Sequence, residues 1–538
     1  MNGHGPDDDG GADLPDLPDA DQEPVASPFD DGQLVLLQRG LRLAELSTEQ
    51  LWLRFFSLGG DTGLVEVQAH LAGLMPLPRL QRDMLAHAVN ERLDELLLSG
   101  RVPYSNAEPV EPSRQSELSA LVTLLAGAHL VPPDRLAGLA ATAFRMLGAD
   151  VTMYLVDHDQ RRLVPATAGL APGSSSHDRP ALDIDSTPAG RAFRDTQTQT
   201  SDAREQPRLW LPLLDGTERL GVLEVELAAT ANVDDPVLRG QCRHLTDLLG
   251  HLVTTTGARG DALDAARRRR ARTPAAELVS QLLPPPSGRT GSFEVSGWLE
   301  PADDAGGDAF DYALSHAGAS LAVLDATGQG LPAGLLTAAA LAAYRSARRG
   351  GLGLLGQACS IDQTLRALTP GGAFVTGLLA ELDLASGELR YLSAGHPHPL
   401  LLRSGTVVST LVGGRRSPFG LAGPAPPGDT DPGPGRTHDA TGAEDPTVTA
   451  GPAPSGVGTQ QLQAGDWLLI HTDGVTGARD AQGAVFGEAR LIHALERSAA
   501  AGLPPQETAR QLAHAVLQHR GGALQDDATV LLGCWLEP

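Results

Sequence analysis

Residues 306–312 read GGDAFDY: two glycines run straight into an aspartate, and a second aspartate follows three positions on. Paired glycines let the backbone turn sharply or approach another group closely, and they weaken the fold unless that freedom is used. Three later stretches repeat the association of a carboxylate with a strand-like apolar run: LAVLDATGQG at Asp325, DWLLIHTDGV at Asp473, and QDDATVLLGCW at Asp526 and Asp527. In the first two of these the run ends on the acid, and in the third the acids open it. Strand ends aligned in one sheet would gather these distant carboxylates at one mouth. Crowded like charges raise one another's pKa and lose solvation, so the cluster needs compensation. Divalent cations supply it, and hard oxygen ligands without neighbouring His or Cys select Mg or Mn over zinc. The glycines beside Asp308, Asp325 and Asp473 would let backbone and ions come close. Each stretch alone has a plainer reading, an Asp-Gly turn or a charged strand edge. Their number and order carry the argument.

That order is GGD, then D-x-x-G-x-G from Asp325, AGHP at 394–397, TDGV, and DDAT. It resembles the metal-dependent type 2C (PPM) serine/threonine protein phosphatases, in their SpoIIE/RsbU-like bacterial branch. The resemblance covers about residues 275–536, with QLLPP at its start, GAFVTGLLAELDLASGELRYLSAGHPHPLLL in the middle and VFGEARL after the third acid. It implies an α+β fold, with a C-terminal antiparallel β-sandwich flanked by helices over residues 287–538. It also implies two Mn2+ or Mg2+ ions: Asp308 reaches toward them, Asp325 bridges both, and Ala326 offers its carbonyl. Asp473 and Asp526 complete the set, with Asp527 beside them. The activity implied is hydrolysis of phosphoserine or phosphothreonine on a protein, in this branch an anti-sigma-factor antagonist. Two shared ions lower the pKa of a bridging water and orient the phosphoryl group, so no protein nucleophile is required. Some positions depart from the pattern. Ala309 and Phe310 stand where a Phe-Tyr pair is usual, Leu324 replaces a glycine, and Gln329 replaces a histidine; none removes a carboxylate. His396 in AGHP is read as a satisfied turn histidine.

The rest of the chain sets the context. It has 538 residues, a formal charge of -25 and no lysine. A strongly anionic surface disfavours nucleic acid and anionic lipid as partners. Cys242, Cys359 and Cys534 lack metal-ligand spacing, which points to a reducing, cytoplasmic setting. The opening MNGHGPDDDG carries no export signal, and no apolar run is long enough to span a membrane. Residues 1–33 read as a disordered acidic tail. Residues 34–100 read as a helical module, with Ser47 and Gln50 at capping-box spacing.

Over residues 116–256, a helix with Leu118, Leu121, Val122 and Leu125 on one face precedes the strand VTMYLV. Two further strands flank an Asp215-Gly216 turn, and a helix bearing Leu245, Leu248, Leu249 and Leu252 closes the unit. Alternation of Leu223, Val225 and Leu227 with Glu224 and Glu226 predicts one buried and one wet face. This α/β order resembles a GAF sensor domain, for which a small-molecule pocket and a purely structural dimer role stand equally open. Cys242 falls in the closing helix, a poor place for a bilin. Residues 257–286 form a linker containing a basic run, Arg267 to Arg270 with Arg272, and then a helix begun by Thr273-Pro274. Its stripe of Ala276, Leu278 or Val279, and Leu282 to Leu283 suits pairing in a homodimer. Residues 423–458 are a Pro/Gly-rich insertion. Other readings are a non-catalytic scaffold and a small-molecule receptor with a secondary phosphatase half.

Overall fold

The computed structural model describes residues 31–44, 46–95, 112–129, 131–167, 179–203, 206–228, 232–302, 306–369, 372–421, 456–521, 524 and 526–536. Most of the acidic tail and of the 423–458 insertion lie outside them. The chain divides into two units, Met1–Val122 and Thr123–Pro538, and the division falls within the helix Pro112–Ala128.

In the first unit four helices, Asp31–Leu43, Thr48–Ser57, Leu64–Leu71 and Arg79–Glu95, enclose Leu37, Leu51, Phe55, Val67, Leu85, Val89 and Leu93. The capping box forms as its spacing predicts: the Gln50 amide donates to Ser47 Oγ, and Gln50 Oε1 accepts from the Ser47 amide. The first helix starts at Asp31, so residues 31–33 belong to this bundle and not to the tail.

The second unit begins with an antiparallel six-stranded sheet, ordered Leu182–Asp183, Arg162–Pro165, Ala149–Val156, Glu218–Leu227, Gln206–Asp215, Gln199–Ala203. The hairpin at Asp215-Gly216 forms, with Gly216 at φ +59°. Its strand 218–227 is not wet on its second face. Glu224 is buried, accepting from Arg208 at 2.7 Å and Tyr154 Oη at 3.4 Å, because paired arginines make burial of that carboxylate tolerable. The preceding helix also departs from expectation. Leu118, Val122 and Leu125 are exposed, and Ala120 and Leu124 are the buried positions. The stronger apolar stripe is therefore turned away from the core.

The linker is two helices, Ala262–Arg267 and Pro274–Leu282. Thr273 Oγ1 accepts from the Ala276 amide at 3.2 Å, and the helix ends before the prolines. Within the basic run Arg269 and Arg270 are exposed, whereas Arg268 pairs with Asp264 and Glu277, and Arg267 Nε donates to the Val156 carbonyl. Ala275, Ala276 and Val279 are buried against the helix Gly330–Arg349 of the same chain. The stripe expected to face a second protomer is already covered.

Residues from 287 onward form two facing sheets. One is ordered Arg415–Arg416, Glu388–Ala394, Val375–Asp383, Gly318–Ala326, Asp308–Leu314, with Gly458–Gln461 on Glu388–Ala394. The other is ordered Thr406–Thr410, Leu400–Arg403, Trp467–His471, Ala528–Trp535, Phe293–Glu300, Ser287–Arg289. All pairs are antiparallel except the short contact of 415–416 with 393–394. Phe310, Leu321, Val323, Leu378, Ile470 and Leu531 fill the space between the sheets. Alternate residues such as Ala322, Leu324 and Leu379 pack outward under helices Gly330–Arg349 and Leu354–Leu368. Helices Gly487–Ala500 and Pro505–Arg520 cover the second sheet. Burial on both faces is why these strands read as continuous apolar runs.

Candidate metal centre

Each predicted acid sits where an apolar strand starts or stops. Asp308 opens its strand and stands directly across from Asp325 near the end of the neighbouring one. Asp473 begins the short helix that follows Trp467–His471, and Asp526 and Asp527 precede the strand Ala528–Trp535. The two sheets therefore bring all five carboxylates to one end of the sandwich.

Close backbone approach explains the glycines. A Cβ at Gly307 would lie 2.8 Å from the Ala326 carbonyl oxygen, and one at Gly474 would lie 1.9 Å from the Asp527 carbonyl oxygen. A Cβ at Gly306 would meet the Ala275 Cβ at 2.7 Å, so the linker helix rests directly on GGD. Leu324, which replaces a usual glycine, is accommodated by Gly377 across the strand pair, where a Cβ would come within 2.7 Å of the leucine.

The acids divide into two kinds. Asp527 is fully engaged by backbone: its Oδ1 accepts from the Ala302 amide at 2.9 Å, and its Oδ2 from the amides of Gly307 at 2.8 Å and Asp308 at 3.2 Å. Asp308 Oδ2 accepts from the hydroxyls of Thr472 and Thr529, both at 2.7 Å. Asp325 accepts from Thr376 Oγ1 at 3.2 Å. Burial, then the charges of Asp473 and Asp526, push Asp325 up to about 7. Burial followed by Asp325 and Asp527 raises Asp308 far above the ordinary carboxylate range. Asp526 is raised by burial and by Asp473. Asp473, Asp526, Arg479 and Arg520 line one cavity of about 270 Å3.

Among the described residues, no three His, Cys, Asp or Glu side chains stand in ready-made ligand positions. The carboxylates meet as repelling charges, and their all-oxygen donor set suits a hard divalent cation. Thr472, Thr529 and Thr376 were not singled out in the sequence, although the first two adjoin the acids within TDG and DDAT. His396 differs from its expected role. It is buried, its Nδ1 lies 3.5 Å from Thr376 Oγ1, and its Nε2 has no hydrogen-bond partner. Burial, with His471 alongside, holds it neutral by lowering its pKa to about 3.

Two antiparallel sheets between helical layers, with carboxylates at one mouth, define the type 2C phosphatase class of fold. Residues 315–432 and 434–535 match the family model described as stage II sporulation protein E, SpoIIE. Over these residues, less than half of the chain, it is similar to the SpoIIE family. Similar solved structures include the RsbU and RsbW domains of a Mycobacterium tuberculosis protein, at 23% identity and TM-score 0.35, covering 46% of this chain and 62% of that one. The SpoIIE phosphatase domain with a regulatory fragment from Bacillus subtilis follows at 20% identity and TM-score 0.34, covering 46% and 64%. The SiaA phosphatase domain of Pseudomonas aeruginosa is matched at 20% identity and TM-score 0.35, covering 45% and 86%. The chain thus spans less than two thirds of the first two of these proteins.

Proposed function

We propose that the chain is a protein serine/threonine phosphatase whose two Mn2+ or Mg2+ ions are held by Asp308, Asp325, Asp473 and Asp526, with the Ala326 carbonyl. The observation that carries this reading is the meeting of Asp325 with Asp473 and Asp526 at one mouth of the sandwich, where the charges of the last two raise the pKa of the first and call for a cation. When bound, the ions would supply an activated water and charge stabilisation for phosphoryl transfer. This chain's own residues hold the acids: Thr472 and Thr529 orient Asp308, Thr376 orients Asp325, and Asp527 fixes the GGD backbone. Asp527 therefore acts in this reading as a positioning residue beside the ligands. Arg479 and Arg520, lining the cavity with Asp473 and Asp526, offer positive charge to an incoming phosphate.

The substrate class is a phosphorylated protein, an anti-sigma-factor antagonist, in a cytoplasmic pathway. The region 116–256 acts as a GAF-like sensor, and the linker carries its state to the metal site. Two contacts support that coupling. Ala275 lies against Gly306, and Arg345 donates both to the Leu282 carbonyl and to Asp311 on the Asp308 strand, each at 2.7 Å.

The test is phosphate release from phosphorylated antagonist proteins with manganese titrated. Asp325→Ala should abolish turnover while circular dichroism and the unfolding midpoint show a folded protein. Unchanged turnover in that variant at saturating manganese would remove the assignment; no turnover by the natural chain on any phosphoprotein would favour a scaffold.

A further inference from the structure

A second polar cavity, of about 270 Å3, lies where the six-stranded sheet, the linker and the phosphatase sandwich meet. Asp157 and Glu218 come to it from the sheet, Arg267 and Arg272 from the linker, and Trp298 and Phe310 from the sandwich. Sites for drug-sized ligands occupy about 300–1,000 Å3, so this one suits a smaller metabolite.

The charges on its wall are of both signs and incompletely matched. Asp157 is fully buried; its Oδ1 accepts from the amides of Arg161 at 2.8 Å and Arg162 at 3.0 Å. Its Oδ2 has no hydrogen-bond partner, and the nearest cation, Arg269, stands 3.8 Å away. A buried carboxylate oxygen left without a donor is costly, and a ligand ammonium would satisfy it. His158 does not serve, since its Nε2 is taken by Asp264 at 2.8 Å. On the cationic side Arg267 Nε is held by the Val156 carbonyl, whereas Arg272 donates no hydrogen bond among the described residues. An ammonium acceptor and a free guanidinium in one small cavity, with Trp298 and Phe310 as apolar wall, match the two charges and the side chain of one molecular class.

We propose that this junction cavity binds a free α-amino acid, its ammonium on Asp157 Oδ2, its carboxylate on Arg272 and its side chain toward Trp298 and Phe310. The site is distinct from the face of the six-stranded sheet under Pro188–Asp195, which Tyr154, Phe193 and Trp210 fill. Occupancy would be felt by the phosphatase, because Phe310 lies two positions from Asp308 on one strand and packs on Gly297, where a Cβ would come within 2.5 Å of its ring.

The experiment reads binding alone, so it stands or falls separately from phosphatase activity. Each of the common amino acids is added at millimolar concentration to the full chain, and the unfolding midpoint is recorded. Any that raises it is titrated by calorimetry, alongside the matching amine and the matching 2-oxo acid, each of which lacks one of the two charged groups. The expected result is binding of at least one amino acid, with both analogues and the Arg272→Gln variant weaker by about tenfold or more. Asp157→Asn should weaken the same ligand, and Arg349→Gln, at a residue that does not line this cavity, should not. The proposal is overturned if no amino acid shifts the midpoint, if the amine binds as tightly as the amino acid, or if Arg272→Gln binds it unchanged.

Discussion

At Asp325 the surroundings decide how the residue behaves with pH. Its folded-state pKa is raised from the model-peptide value of 3.8 to about 7, so between these limits the folded protein holds a proton that the unfolded chain has released. Stability of the metal-free protein must therefore fall as pH rises through that window. Urea midpoints measured across it without divalent ions should decline, and Asp325→Asn should flatten the decline. An equally steep decline in the variant would mean that other groups control it. Asp527 is also raised by burial, but its carboxylate oxygens are satisfied by amides. Asp527→Ala strips acceptors from Ala302, Gly307 and Asp308, and hydrogen bonds to a charged group contribute about 1.5–3 kcal/mol each. Denaturant unfolding should show a loss of at least that size. Activity should fall through a displaced Asp308, with a raised manganese midpoint as its signature.

At the scale of elements, the contact between the linker helix and GGD is backbone-close and so has no slack. Gly306→Ala places a methyl about where the Ala275 Cβ already lies, at 2.7 Å, and the helix or the loop must move. Phosphatase rate and manganese midpoint should both shift, and the double variant Gly306→Ala with Ala275→Gly should restore them, since the two sites share one contact. No rescue in the double variant would show that the methyl acts elsewhere. Arg345 adds a second route from the same helix, because one guanidinium holds both the Leu282 carbonyl and Asp311.

At the scale of the second unit, the six-stranded sheet is fixed to the sandwich by buried charge. Arg219 from the sheet donates to Glu507 at 3.1 Å, and Arg510 donates to Glu507 at 2.7 Å and to Asp185 at 2.6 Å. Arg219, Glu507 and Arg510 are all nearly inaccessible. Glu507→Ala would leave two buried guanidiniums facing each other, and breaking a buried pair in this way destabilises by about 3–5 kcal/mol. Calorimetry should show either a lower single transition or a new early one as the sheet separates. An unchanged thermogram would mean that the network adds nothing to the interface. No helix among the described residues is long and apolar enough to cross a membrane.

The positions of the acids along the chain were legible because chemistry at strand ends leaves local marks: an apolar run, a carboxylate, and a glycine that permits close approach. Helix starts at Ser47 and Thr273 and the turn at Gly216 were legible for the same reason, since caps and left-handed turns depend on residues adjacent in sequence. Which face of an element is covered was not. Glu224 looked wet and is buried by arginines distant in sequence, Leu118 and Val122 looked buried and are exposed, and the linker stripe meant for a partner is closed by its own chain's helix. Nor could sequence tell Asp527, satisfied by amides, from its neighbour Asp526. Burial and hydrogen-bond partners are set by segments that meet only after folding, whereas spacing and turn chemistry act within a few residues.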